Sequence, residues 1–188
     1  MTPLTLTECE ELLEIARRSI ATLLEYGERA VLDGVSEGLN RAGGAFVSLH
    51  RRNPAPGQTR LRGCIGIFEA DAPLADTVSR MAAAAATQDP RFSPVEAEEL
   101  AELEIEISVL SPRQRAQAEE VEVGRHGVYI TQGVHRGVLL PQVATEAGWE
   151  REEFLAGTCR KAGLPADAWR AATTTIEIFS AQVFGEAE

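Results

Sequence analysis

Arg60-Leu61-Arg62-Gly63-Cys64-Ile65-Gly66-Ile67-Phe68 decides how this chain folds. It sets a thiol, two glycines and two guanidinium groups into one apolar run of strand character. In an extended segment successive side chains point to opposite faces. Leu61, Ile65 and Ile67, with Gly63 in their row, then face a core, while Arg60, Arg62, Cys64 and Phe68 share the other face with Gly66. Upstream, Ala45-Phe46-Val47-Ser48-Leu49-His50 alternates in the same way, with Val47 and Leu49 on one side and Phe46, Ser48 and His50 on the other. Asn53-Pro54-Ala55-Pro56-Gly57 between them is turn chemistry. The two segments predict an antiparallel hairpin. A bulge-free register places Ser48, His50, Arg62 and Cys64 on one face.

Outward from this hairpin, helices and strands mix without a regular βαβ repeat. Thr7 and Glu10 read as a capping box before an apolar stripe of Leu12, Ile15, Ala16, Ile20, Leu23 and Leu24, which predicts a helix over 8–26 stopped by Gly27. Residues 34–44 read as a loop. Asp71 caps a second predicted helix with Pro73 in its first turn; Leu74, Val78, Met81 and Ala85 give its buried face, and it ends before Asp89-Pro90. Glu96 to Glu102 reads as a short solvated helix or turn. Leu103, Ile105, Ile107 and Val109 alternate with polar residues in a half-buried strand. Val128–Thr131 and Val138–Leu140 predict a hairpin around Gly133 and Gly137. Two short helices follow, from Pro141 to Ala147 and from Arg151 to Ala162, with one long closing strand from Thr173 to Phe184. The pattern predicts an α+β fold with a largely antiparallel sheet and flanking helices, a single domain over 1–188.

Composition narrows the function classes. At 188 residues the chain can bury about 70% of its unfolded surface, so no disulfide or metal staple is needed. A net charge of -11 argues against strong unaided binding to nucleic acid or to an anionic membrane. The three cysteines, Cys9, Cys64 and Cys159, are odd in number and far apart, and no apolar run approaches membrane-spanning length. A reduced, cytoplasmic protein is expected.

The opening segment is also the candidate site. Cations beside a thiol favour the thiolate. Cys64, flanked by Arg60 and Arg62 and with His50 across the ladder, is a candidate nucleophile, and His126 is a second candidate base. Against this, cysteine most often packs as a small hydrophobe. Anion binding or partner docking by Arg60 and Arg62 is the stronger expectation, with Gly63 and Gly66 leaving room for a ligand to approach. His50, His126, His135 and the cysteines show no metal-ligand spacing, so no metal and no cofactor is expected. Asp89 before Pro90 reads as a turn cap, and Trp149, Phe154 and Trp169 as packing anchors.

Several stretches together resemble the AMMECR family, whose prokaryotic members are called AmmeMemoRadiSam system protein A. They are Gly44 to Leu49, Leu61 to Gly66, Asp89-Pro90-Arg91-Phe92, Ile105 to Leu110, His126-Gly127, Leu139 to Ala144, and the region from Trp149 to Leu164. Leu61-Arg62-Gly63-Cys64-Ile65-Gly66 is the hallmark of that family, and Ile67 stands where a Thr is expected. The resemblance implies an AMMECR-like fold with a larger and a smaller lobe. It also implies association with a Memo-type protein, itself similar to metal-dependent dioxygenases, and with a radical S-adenosylmethionine (SAM) enzyme. Any metal or cluster would belong to those partners. The expected role is an accessory or substrate-binding component of a modification pathway, with a small anionic, RNA or protein substrate; the alternative is a thiol-dependent enzyme using Cys64.

Overall fold

The structure, a computed structural model, describes residues 3–69 and 71–186. The described residues form two compact units, one of residues 3–110 and 182–186 and the other of 111–181. Each has its own four-stranded sheet and its own apolar core.

In the first unit, α1 (Leu6–Tyr26) begins at a capping box formed by Thr5 and Glu8, not by Thr7 and Glu10. The pattern Thr-x-x-Glu occurs twice in succession, and the earlier copy wins because starting there also makes Leu6 to Glu8 helical. Gly27 ends the helix in the left-handed region at φ 71°, as its sequence position predicts. The sheet runs in the order β2 (Leu61–Ile67), β1 (Ala45–Arg51), β3 (Leu103–Leu110), β8 (Ala181–Gly185). β1 is antiparallel to both β2 and β3. α2 (Leu74–Thr87) packs on β1 and β2, and α1 packs on α2 and β3. Pro73, not Asp71, takes the N-cap position of α2 and makes no side-chain cap bond. Val47, Leu49, Ile105, Ile107 and Val109 fill the core beneath the helices, on the face that alternation assigned to them. Deep between α1 and α2, Ser19 donates to the Ile15 carbonyl at 2.7 Å and shares a hydrogen bond with Ser79 Oγ at 2.8 Å, so these buried hydroxyls are satisfied.

The second unit has the sheet order β4 (Gln114–Arg115), β7 (Thr175–Phe179), β5 (Gly127–Gln132), β6 (His135–Leu139), with antiparallel pairing throughout. α4 (Arg151–Lys161) lies on β5 and β6, and α3 (Pro141–Ala147) on β5; Phe154, Leu155 and Cys159 of α4 meet Val128, Ile130 and Ile176 in the core. Gly133 makes the β5–β6 turn, at φ 59°, whereas Gly137 is a strand residue backed by α4.

The expected single closing strand is two strands. The break falls at Ser180, whose N–H donates to Ser111 Oγ and whose carbonyl accepts from the Ser111 N–H, both at 2.9 Å. β7 therefore pairs in the second sheet and β8 in the first. Thr, Ile and Phe favour strand on both sides of the break, and propensity carries no mark of which sheet a strand joins. Beyond β8, Glu186 receives two bonds from Arg17, which also donates to the carbonyls of Leu100 and Leu103.

Candidate functional site

The β1–β2 hairpin forms as the turn chemistry predicts, with Ser48 opposite Cys64 and Phe46 opposite Gly66. It carries a bulge, however. Leu49 pairs with Gly63 while His50 pairs with Leu61, so Arg62 is the extra residue. The bulge removes Arg62 from the face of Cys64. Its guanidinium is 3% exposed and donates to Glu99 through Nε and Nη2, to the Ser93 carbonyl at 2.8 Å and to the Pro94 carbonyl at 3.1 Å. Arg62 is thus a strut that fastens the segment after α2 to β2. In return it holds the Glu99 carboxyl below the ordinary glutamate range. Arg60 donates to Glu104 at 2.7 Å, so neither cation is an open anion site.

The two hallmark glycines are packing positions. A Cβ at Gly63 would run into the Ala85 carbonyl, where the small residues of α2 let the helix lie close on the strand. A Cβ at Gly66 would overlap the Phe46 ring, which packs edge-on against Phe68 at 5.0 Å. The space expected for a ligand is filled by helix backbone on one side and an aromatic ring on the other.

Cys64, Ser48, His50 and Glu106 share one face of the first sheet. Ser48 Oγ donates to Cys64 Sγ at 3.2 Å, and Ser48 also sits opposite Glu106 on β3. His50 Nε2 lies 3.9 Å from Glu106 Oε1, too long for a hydrogen bond, and this buried nitrogen makes none. The His50 imidazole nonetheless holds the Glu106 carboxyl below its usual value. The Cys64 thiol is half-buried; Cys9 and Cys159 are buried, and burial pushes both of their thiols up. His126 belongs to the second unit, where its Nδ1 accepts the Glu122 amide at 3.2 Å. Within the first unit the structure brings His50 onto the face of Cys64.

Asp89, expected as a turn cap, also binds the strand. Asp89 Oδ2 accepts the main-chain N–H of Cys64 at 2.8 Å, and its carboxylate receives the Arg91 main-chain N–H and two guanidinium bonds. The Arg91 guanidinium is the chief cause that drives the Asp89 carboxyl far below the carboxylate range, against the effect of burial. Arg91 also reaches the Cys64 carbonyl at 3.5 Å and stacks near the Phe92 ring. β2 is an edge strand, and this pair supplies a donor and an acceptor where a neighbouring strand would stand. The signal available in sequence was the run Asp89-Pro90-Arg91-Phe92, whose ends are close enough for a side chain to bond its own turn. That it reaches Cys64 is a tertiary fact. Among the described residues no group of three or more His, Cys, Asp or Glu is placed to hold a metal ion, and no helix is long and apolar enough to cross a membrane.

The AMMECR1 family model matches residues 13–184, across both units. The chain belongs to the AMMECR1 family. Protein MK0488 of Methanopyrus kandleri is 41% identical, over 98% of this chain and 91% of its own length. Protein MJ0810 of Methanocaldococcus jannaschii is also 41% identical, over 98% of this chain and 93% of its own. The crystal structure of uncharacterized protein PH0010 from Pyrococcus horikoshii superposes with a TM-score of 0.86 at 41% identity, covering 96% of this chain and 92% of that one. The α+β expectation agrees with this AMMECR1 relative and with the two sheets.

Proposed function

We propose that this AMMECR1 protein is a binding component of a modification pathway, acting with a Memo-type dioxygenase-like protein and a radical SAM enzyme. The face that carries Phe46, Ser48, His50, Cys64 and Glu106 is its recognition surface. The observation behind this reading is that nearly every side chain of the hallmark segment is spent on the fold. Arg62 is a buried strut, Gly63 and Gly66 are packing positions, and Arg60 is paired. Cys64, half-buried, faces outward from the ladder with Ser48 Oγ as its side-chain hydrogen-bond partner among the described residues. Arg60 and Arg91 are each paired with a carboxylate yet keep 61% and 55% of their side chains exposed, and this rim suits docking of a partner or of an anionic, RNA or protein substrate that shares those pairs. Titrating the purified chain with each of the two partner proteins tests the reading. Binding tighter than about 100 μM, weakened by Arg60→Glu or Arg91→Glu, is the expected result; no affinity for either partner sinks it.

The Ser48 hydroxyl bond to Cys64 Sγ favours a second reading, a thiol enzyme with Cys64 as nucleophile and His50 as base. Here Cys64→Ser abolishes turnover while partner binding persists. Under the binding reading Cys64→Ser acts on partner affinity alone, and there is no turnover for it to abolish.

A further inference from the structure

We propose that the second unit carries a mononucleotide site in the groove between residues 115–119 and 169–176. It lies outside the unit that carries Cys64, so it stands or falls independently of the reading given to that face. The groove is open to solvent along one side and has a volume of about 580 Å³, within the range of small-ligand sites. Its lining combines a stacking platform with an uncommitted cation. Arg170 lies over the Trp169 ring at 4.0 Å from the centroid, and its Nη2 donates to Glu152 at 2.9 Å. The carboxylate and the ring together fix the guanidinium plane, and both Arg170 and Trp169 line the groove. A layer of indole and guanidinium is a surface on which a base stacks, because every base has a π-face and arginine planes stack on it.

Arg115 supplies the charge. Its cross-strand neighbour is Glu177, but the Glu177 carboxylate is taken by Arg113 at 3.1 Å, which also stacks on the Tyr129 ring. Among the described residues Arg115 is in no ion pair, whereas most arginines of this chain are paired with carboxylates. Glu152 matches the charge of Arg170, which leaves Arg115 as the guanidinium of the groove in no ion pair among the described residues, with Glu119 the carboxylate in the lining. Guanidinium matches a phosphate with two parallel bonds, and Gln117 on the same wall offers an amide for the base or sugar. A flat base on the Trp169–Arg170 layer with its phosphate on Arg115 uses each of these groups.

The test is a titration of the full-length chain with AMP, followed by the Trp169 indole N–H resonance, which the Trp169→Phe variant identifies. Adenosine and inorganic phosphate are the separate arms for ring and anion. The expected result is a saturable shift with AMP at a dissociation constant below about 1 mM, and binding at least about tenfold weaker for adenosine and for phosphate. Arg115→Ala, a change at an exposed side chain, is expected to weaken AMP about fivefold or more without altering the thermal melt. No shift up to about 10 mM AMP, equal binding of AMP and phosphate, or undiminished binding by the Arg115→Ala variant each overturns the proposal.

Discussion

The Asp89 carboxylate and the Cys64 main-chain amide, 25 residues apart, meet at 2.8 Å across the outer edge of β2. Asp89 thereby joins the turn after α2 to the strand that bears the family hallmark. Arg91 completes the contact by gripping both carboxylate oxygens. The reactive-looking cysteine is held through its backbone, by a residue that the sequence places in a turn.

Removing this carboxylate leaves a strand amide and a guanidinium without partners. Asp89→Ala is expected to destabilise the protein by about 2–3 kcal/mol, less than a fully buried pair because Arg91 is more than half exposed. Asp89→Asn, which can still accept one bond, is expected to cost less. Urea unfolding of the two variants measures the difference: equal losses would show that the charge carries the whole contact, and wild-type stability in Asp89→Asn that the charge adds nothing beyond the hydrogen bond.

The same pair makes stability depend on acid. The Asp89 carboxyl sits far below its ordinary value in the folded protein, and Glu99 and Glu106 are also lowered. A depressed carboxylate stabilises the fold above its unfolded pKa, about 3.9 for Asp and 4.3 for Glu, and that stability is lost as pH falls through the folded value. Stability is expected to be flat near neutrality for these groups and to fall below about pH 5, with the slope reduced in Asp89→Asn. Denaturation midpoints across this pH range provide the check.

Gly63→Ala should be among the most damaging small substitutions. The added methyl meets the Ala85 main-chain carbonyl, and a helix backbone cannot move aside without repacking α2 on β1 and β2. A loss of about 3 kcal/mol or more is expected in thermal or urea unfolding. Gly57→Ala in the preceding loop makes a control of a different kind, since there only the left-handed backbone at φ 86° opposes the methyl.

Arg62→Lys tests the strut. Lysine keeps the charge but cannot reproduce the two-pronged bond to Glu99 while also reaching the Ser93 and Pro94 carbonyls. About 2–4 kcal/mol of lost stability is expected, and Arg62→Ala should lose more by leaving Glu99 unpaired. Wild-type stability in Arg62→Lys would return Arg62 to the role of a ligand contact.

Thiol labelling separates the three cysteines. Cys64 is half-buried, whereas Cys9 and Cys159 are buried with thiols pushed up by desolvation. Under native conditions Cys64 should alkylate more than about tenfold faster than the other two. Peptide mapping by mass spectrometry after brief iodoacetamide treatment reads the order directly.

Much of this was legible in the residues themselves. Period-two alternation located β1, β2 and β3 and assigned Val47, Leu49, Ile105 and Ile107 to the core. Gly27 and Gly148 ended their helices because only glycine takes a left-handed stop without strain. What failed was counting across a gap. Strict alternation over Arg60 to Phe68 assumed an unbroken register, but Arg62 is an extra residue on β2, between the partners of His50 and Leu49, and is turned away from Cys64. A bulge shifts the phase of the alternation, but this one falls at the second residue of β2, where Leu61 alone precedes it and is too short a run to show the shift.

Sequence alone determined the fold class, the helix stops, the core-facing rows and, through its motifs, the family. These depend on local backbone preference and on which side chains avoid water, and both are carried by neighbouring residues. Only the tertiary structure decided which polar groups would be spent. Glu99 claimed Arg62, Glu104 claimed Arg60, Ala85 and Phe46 filled the space beside Gly63 and Gly66, and Asp89 reached the Cys64 amide. Each of those pairings joins segments distant along the chain. A cation or a glycine reads the same in sequence whether it is free for a ligand or already satisfied by the fold.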